Sequence, residues 1–545
     1  MASATKSSQP AGGGLFLRKA TGLVREVSLG EAIIFNILPA VPGLILAWSM
    51  FWILGAFPGV NMLWGTIIAG VLCLGICVAY GLLSVAMPRT GGDYIFVSRT
   101  LHPVLGLMAS FGMTGSSLLS VGYWAWSWVF FGIGPGLAIL GATTGNKALL
   151  SLSGTLGQPT WVLIIGLISI LGIALLLSRG IRTTMNFQNW AWWIANAGLA
   201  LMAIILLVTT RESFMAKFNA FAAPYTSQAD SYNFFIQAAA DNGLAYTGQH
   251  AFGPTLAAVG GFLTFGMWAF FSTYLAGEVK GAATRKFAWS MVWAAIIQYA
   301  TFFVMIVLLY KTIGEKFIAS ITFLQSNPDI YTLPVSPIIT MLTSVIPGGL
   351  IIPLIIVVTF LAWIPLVHFI QWVQAIRAFF AMSFDRLLPA KLGDVDERTH
   401  APITALIVCA AIGLVCLAWA VFSPTFMTVI VIAGLFGIPP ILLTGIAAIV
   451  FPWKMKDLYQ ASPAKVEILG VPLVSVGGVI AVLAEVLYGY VVFKYGLLPP
   501  ASQPLGLIVV GGVMLLAVVL YFVAKAVRKS QGIELDDVFK ELPPE

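Results

Sequence analysis

Charge is what this chain has least of. Lys, Arg, Asp and Glu make up 9% of its 545 residues, against about a quarter in an ordinary soluble domain, while 59% are hydrophobic. A soluble globule of this size would lack the polar surface to cover such a core. That excludes a soluble enzyme, a nucleic-acid-binding protein and a disordered chain. Cysteine is scarce: Cys73, Cys77, Cys409 and Cys416 all fall inside apolar runs. Cys73 and Cys77 are spaced as a metal pair, but no histidine or second pair accompanies them, so buried free thiols without disulfides or metal are expected. The four histidines are scattered, with no His-Glu-x-x-His. There is no Gly-x4-Gly-Lys-Ser/Thr loop to cradle phosphate, which argues against ATP-driven transport. The sequence calls for no catalytic residues and no cofactor. Met1–Gly14 is small and polar and lacks a basic stretch leading into a short apolar one, so no cleavable signal is expected.

What is present is a series of long apolar runs. They are continuous over about 20 residues instead of alternating, which fits membrane-spanning helices and not the strands of a barrel. We place twelve spans near 28–56, 62–87, 104–135, 160–178, 188–209, 255–278, 287–313, 349–384, 402–422, 426–452, 470–493 and 505–527. The two sizeable gaps, about 210–254 and 314–348, have mixed polarity and suit short helices or re-entrant turns.

The formal charge of +7 comes from small basic clusters between the spans and is not a nucleic-acid signal. With the N-terminus placed inside, 22 of the 28 Lys and Arg fall on the inner side and 6 on the outer. The N-terminal tail contributes Lys6, Arg18, Lys19 and Arg25. This asymmetry predicts a cell-membrane protein with both termini in the cytoplasm. The expected layout is a cytoplasmic tail (1–27), spans 1–5 (28–209), an extracellular loop (210–254), spans 6–10 (255–452), spans 11–12 (453–527) and a cytoplasmic tail (528–545).

Splitting the spans 5 + 5 + 2 gives two five-helix units of opposite orientation. The first helix of each unit is interrupted. Span 1 carries Pro39-Ala40-Val41-Pro42-Gly43 in mid-membrane, where two prolines lack N–H donors. Span 6 carries the glycine-rich run Gly260–Trp268, with the break expected at Thr264–Trp268. Irregular backbone at membrane depth is tolerated only where it is buried in protein or lines a cavity. Matched interruptions in two halves point to a transporter's central site.

Three segments carry a family resemblance. The 2–3 loop, Met87-Pro-Arg-Thr-Gly91-Gly92-Asp93-Tyr94, is similar to a Pro-x-x-Gly-Gly-x-Tyr signature. Glu278-Val-Lys280 resembles a Glu-x-Lys at the end of helix 6. Arg377-x3-Ala381-x3-Asp385-x3-Pro389, followed by Ala401-Pro402, resembles an 8–9 loop. Together and in order they resemble the amino acid–polyamine–organocation superfamily of transporters. The resemblance implies an all-α, leucine-transporter-type inverted repeat with two added helices, and alternating access. The chain departs from the family at the first break, where Pro39-Ala-Val-Pro42-Gly43 stands in place of a Gly-Ser/Ala-Gly run. It departs again at Gly281-Ala282, where many relatives have Asn-Pro, and at Arg386, where many have Gly.

The candidate substrate-binding residues are Pro39, Ala40, Val41, Pro42 and Gly43 in span 1, Phe265, Gly266 and Trp268 in span 6, and Ser117, Ser120 and Tyr123 in span 3. The resemblance places span 3 opposite the broken helices. Gating or coupling candidates are Glu31, Asn196, Thr359, His368, Arg377 and Asp385, because ionisable or polar groups inside spans are costly and so are candidates for function. Glu31 suits a gate contact with a basic residue or simple solvation at a helix end. His368 suits a proton site or a neutral histidine bonded within the bundle. Glu278 and Lys280 suit an ionic latch or solvated surface charges. Trp268 suits a substrate lid or plain packing. Glu485, in span 11 outside the ten-helix unit, suits a structural role. Arg377, Ala381, Asp385 and Pro389 recur every four residues and share one helix face.

The expected function is secondary transport of an amino acid, coupled to protons or by exchange. An amine or polyamine substrate is the alternative, because Pro39 and Pro42 remove two donors a carboxylate would use. A non-transporting nutrient receptor on the same fold is another alternative, disfavoured by the short tails. Protons suit better than sodium, because Thr359 is the only hydroxyl residue between Gly348 and Arg377.

Overall fold

The computed structural model describes residues 22–543, without the side chains of 47–51. Met1–Gly14 and the basic residues Lys6, Arg18 and Lys19 lie outside the described residues. Among these, twelve helical spans are long and apolar enough to cross a membrane. The fold is all-α, with two five-span units in inverted repeat and two further helices.

Two spans are longer than hydropathy indicates. Span 5 begins at Ile181, directly after Gly180 at φ 89°. Its first two turns are polar, and side chains such as Arg182 and Gln188 bond to span 1. Span 3 continues to Thr144 through a wide turn at Trp128–Ile133. Pro135 follows this turn without an N–H to donate, and a π-turn is one way a helix absorbs a missing bond.

Span 1 is split. Its first half, Leu29–Ile37, starts on a capping box in which Ser28 and Glu31 cap each other. A 3₁₀ turn, Leu38–Ala40, follows; then Val41 sits at φ 39°, and the second half starts at Pro42. Span 6 runs as α-helix from Phe252 to Gly266, turns over 267–270, and resumes as a 3₁₀ helix, Phe271–Glu278. The break therefore begins at Met267, inside the expected Thr264–Trp268, and runs two residues past it. Gly260 and Gly261 lie within unbroken helix. A Cβ on either would meet Val491 or Ile53 at under 2.5 Å, so they serve close packing instead of a bend. Span 8 is also jointed, at Ala362 between Ile351–Leu361 and Trp363–Phe384, next to Pro365, which cannot donate to the preceding turn.

The two long gaps contain short helices: Arg211–Thr226 and Ser231–Asp241 in the first, Glu315–Leu324 and Ile339–Val345 in the second. An aromatic cluster joins them. Tyr232 stacks on Phe317 with centroids 4.2 Å apart, and Phe214, Phe218 and Phe235 are fully buried around it. At the opposite end of the bundle the basic loops bond to one another and to both tails. Arg182 reaches the Glu26 carbonyl, His400 the Gly22 carbonyl, Arg528 the Arg386 carbonyl, and Arg89 the Pro543 carbonyl. We call this end the basic face.

Candidate functional site: two broken helices and buried ion pairs

The breaks in spans 1 and 6 are tied together. Asn36, one residue before the end of the first half-helix, accepts the Ser272 amide at 2.7 Å. At the basic face Val27 pairs in parallel with Val279: its amide bonds the Glu278 carbonyl (2.9 Å), and its carbonyl takes the Lys280 amide (2.8 Å). The carbonyls freed by the span 6 break are capped by side chains. Gly266 accepts from Gln298 at 2.8 Å and from the Cys73 thiol at 3.2 Å; Ala269 accepts from Cys77 at 3.7 Å. All four cysteines are buried and free. Cys73 and Cys77 thus support irregular backbone, and among the described residues no metal-binding cluster occurs.

The second half of span 1 points its N-terminus into the middle of the bundle. The first N–H groups of a helix lack intrahelical partners. Pro42 has none to offer, so Gly43 and Leu44 are the donors left, and the helix dipole favours an anion there. Trp363, at the joint of span 8, lies over the same turn. A Cβ on Gly43 would sit 2.2 Å from the Trp363 indole nitrogen. That nitrogen is fully buried and has no hydrogen-bond partner. The indole nitrogen thus lies against the turn that carries the free Gly43 and Leu44 amides. The sequence singled out Gly43 but not Trp363, whose place follows from the span 8 joint.

The remaining candidates separate. Pro39, Ala40 and Val41 are buried in the break itself. Ser117 is buried and donates to Gln371 of span 8 at 3.0 Å, while Ser120 and Tyr123 are half-buried on the same helix. Phe265 is partly exposed. Trp268 donates to the Thr264 carbonyl at 2.8 Å and packs over Gly437, which makes it a packing residue in this conformation. Asn196 bonds Trp192 of its own helix. Thr359 bonds Ile355 and faces Gly198 of span 5. His368 is fully buried, beside Trp372, and neither ring nitrogen closes a hydrogen bond.

The gating candidates converge at the basic face. Arg377 makes a bidentate pair with Glu278 (2.7 and 2.9 Å), and both are buried. Asp385, two turns further along the same face, is clasped by Arg99 (2.6 and 2.8 Å) and accepts the Tyr94 hydroxyl at 2.6 Å. Gly91 lies against Ala381, between the two pairs. Glu31 pairs with Arg182 and accepts from Ser28 and Asn189. Glu278 therefore pairs across to span 8. Lys280 is exposed, and its amide instead holds Val27. Phe539 caps the back of the Arg99 guanidinium, 4.9 Å from ring centroid to Cζ.

The paired glycines of the 2–3 loop now have a reason. Gly92 sits at φ 54°, and a Cβ there would meet Tyr274 and Thr273 at 2.9 Å. Only glycine lets the loop approach span 6 closely enough for the Tyr274 hydroxyl to donate to Asp93 at 2.9 Å. Burial pushes the Asp93 carboxyl up to about 7 from an ordinary 3.8, although the Tyr274 hydroxyl and the Tyr94 amide pull the other way. The folded state thus holds a proton that the unfolded chain releases. This contribution to stability is full below pH 3.8 and is lost as pH rises through about 7. Asp93→Asn is expected to remove that slope, leaving the variant more stable than the parent above neutrality. Thermal unfolding in detergent at about pH 4 and about pH 8 checks this; an unchanged slope would count against it.

Twelve spans, two broken helices and buried ion pairs gathered at one face are the features of a multi-pass membrane transporter. Residues 32–525 match the family described as amino acid permease. The chain belongs to that family, within the amino acid–polyamine–organocation superfamily. A comparison with curated proteins found no match.

Proposed function

We propose that the chain is a secondary active transporter that carries an amino acid across the cytoplasmic membrane by alternating access, driven by protons or by exchange. Both termini lie in the cytoplasm in this reading, because the basic face carries the excess of Lys and Arg. Residues 28–209 and 255–452 are the two repeats that move against each other. Residues 210–254 are extracellular, 453–527 are the added helices, and the tails are 1–27 and 528–545. The substrate lies between Pro39–Gly43 and Phe265–Trp268, with Ser117, Ser120 and Tyr123 on the span 3 side. Glu31, Arg377 and Asp385 close the cytoplasmic gate.

The observation that supports this reading is the unpartnered Trp363 indole nitrogen lying against the helix turn that carries the Gly43 and Leu44 amides, a set of donors that suits a carboxylate. No basic side chain lies within either break, so a phosphate would lack a counter-ion. The carboxylate-free amine has one observation in its favour, the donors removed at Pro39 and Pro42. Competition uptake into proteoliposomes, pairing each amino acid with its decarboxylated amine, decides between them. We expect the amino acid to compete and the amine to fail. Competition by the amine alone would reverse the assignment; competition by a sugar or nucleobase alone would refute the site.

A further inference from the structure

Span 11 (Leu473–Lys494) carries a carboxyl group that the transport scheme above does not use. Glu485 is 1% exposed, and neither of its oxygens has a hydrogen-bond partner. Among the described residues no basic side chain pairs with it. It lies where span 11 packs on spans 2, 6 and 10. The titratable groups that face it are Tyr80 of span 2 and Tyr488 of its own helix, with Asp93 of the 2–3 loop acting on Tyr80 from the other side. Spans 10 and 6 add only hydroxyls: Thr444 beside Tyr80, and Thr264 beside Tyr488. Tyr80 and Thr444 also lack closed hydrogen bonds.

Both tyrosines beside Glu485 touch the span 6 break. Tyr80 stacks on Phe270, in the turn itself, with centroids 3.8 Å apart. The Tyr488 hydroxyl lies 3.3 Å from Thr264 Oγ1, in the last turn before the break. An unpaired carboxylate in such a place would bear its full desolvation cost, whereas the neutral acid would not. Any movement of span 6 that admits water or turns a hydroxyl toward the carboxyl changes that balance.

We propose that Glu485 is a proton-binding site of this transporter, loaded in the conformation described here and linked to the span 6 break through Tyr80 and Tyr488. The proposal rests on the transport reading and names the group that carries its coupling proton. His368, a buried titratable group inside span 8 that is likewise unpartnered, packs against Trp372 of its own helix.

The test uses the full chain reconstituted in vesicles, with Glu485→Gln as an uncharged mimic of the loaded state. A labelled mixture of the standard amino acids serves as probe. We expect the variant to keep exchange across the membrane without a gradient, and to lose accumulation driven by an inward pH gradient by tenfold or more. Infrared spectroscopy of the same samples gives a readout independent of transport: a protonated-carboxyl band present in the parent and in Asp93→Asn, which removes the other carboxyl that holds a proton, and absent in Glu485→Gln. Accumulation at the parent's level, or no such band in the parent, would overturn the proposal. If the parent moves none of the probe, the transport reading fails, and the infrared band alone decides whether Glu485 holds a proton. Dependence of accumulation on sodium, with indifference to pH, would also overturn it.

Discussion

Removing the Glu278 carboxylate is expected to destabilise the protein by roughly 3–5 kcal/mol, because it strands the Arg377 guanidinium in a dry site. The pair itself is worth far less than that. Desolvating two ions costs about what their attraction returns, so exchanging both for apolar groups of similar size is often neutral. The expectation is therefore a pattern across three variants. Glu278→Ala and Arg377→Leu should each unfold well below the parent, and Glu278→Ala/Arg377→Leu should recover most of the loss. Transport should not recover with it. With the pair gone, the end of span 6 loses its ionic tie to span 8, and the basic face should become accessible to thiol reagents in the absence of substrate. Thermal unfolding in detergent and labelling of cysteines placed in the gate check the two parts. A double variant no more stable than the single ones would show that the pair contributes to stability in its own right.

Gly43→Val is expected to lower amino acid uptake by about a hundredfold while leaving a folded protein in the membrane. A misplacement of about 1 Å at a binding group costs that much, and the Cβ alone would lie 2.2 Å from the Trp363 indole nitrogen. The indole must swing away from the first turn of the second half-helix, which separates its nitrogen from the Gly43 and Leu44 amides. Trp363→Phe removes one of them without adding bulk. It should weaken uptake less, by about tenfold, the value of one hydrogen bond to a charged group. Substrate-dependent thermal stabilisation separates lost binding from lost movement. Uptake by Gly43→Val at the parent's rate would remove the carboxylate site from that turn. Gly266 is constrained in another way: a Cβ there meets Tyr299 and Gln298 and would dislodge the cap on its own carbonyl.

Hydropathy and charge made most of this architecture legible before any coordinates. Lipid enforces the pattern, since backbone polar groups must be satisfied within the span and ionisable side chains there are costly. The break in span 1 was legible because proline has one fixed φ and no N–H. The break in span 6 was read slightly early, because glycine permits a bend without requiring one, and Gly260 and Gly261 serve packing. Glu31 was legible as a group that would meet a basic residue or sit solvated at a helix end, and Arg182 is the basic residue it pairs with. Less legible were the partners. Glu278 finds Arg377 across 99 positions in the chain, and Asp385 finds Arg99 across 286. No local spacing encodes such distances. Lys280, two residues from Glu278, was the nearer choice and points to solvent. Trp363 escaped notice for a related reason: among 17 tryptophans, only the joint in span 8 sets it over Gly43.

The pairing of Val27 with Val279 constrains how this architecture can diversify. Main-chain atoms make that connection, so almost any residue except proline at the bonded positions can preserve it. The ends of spans 1 and 6 at the basic face are thereby joined by a device that point substitutions scarcely touch. Side chains around the breaks are free to drift toward other cargoes while the moving part keeps its shape. A lineage could change what it carries many times over without having to reinvent how it moves.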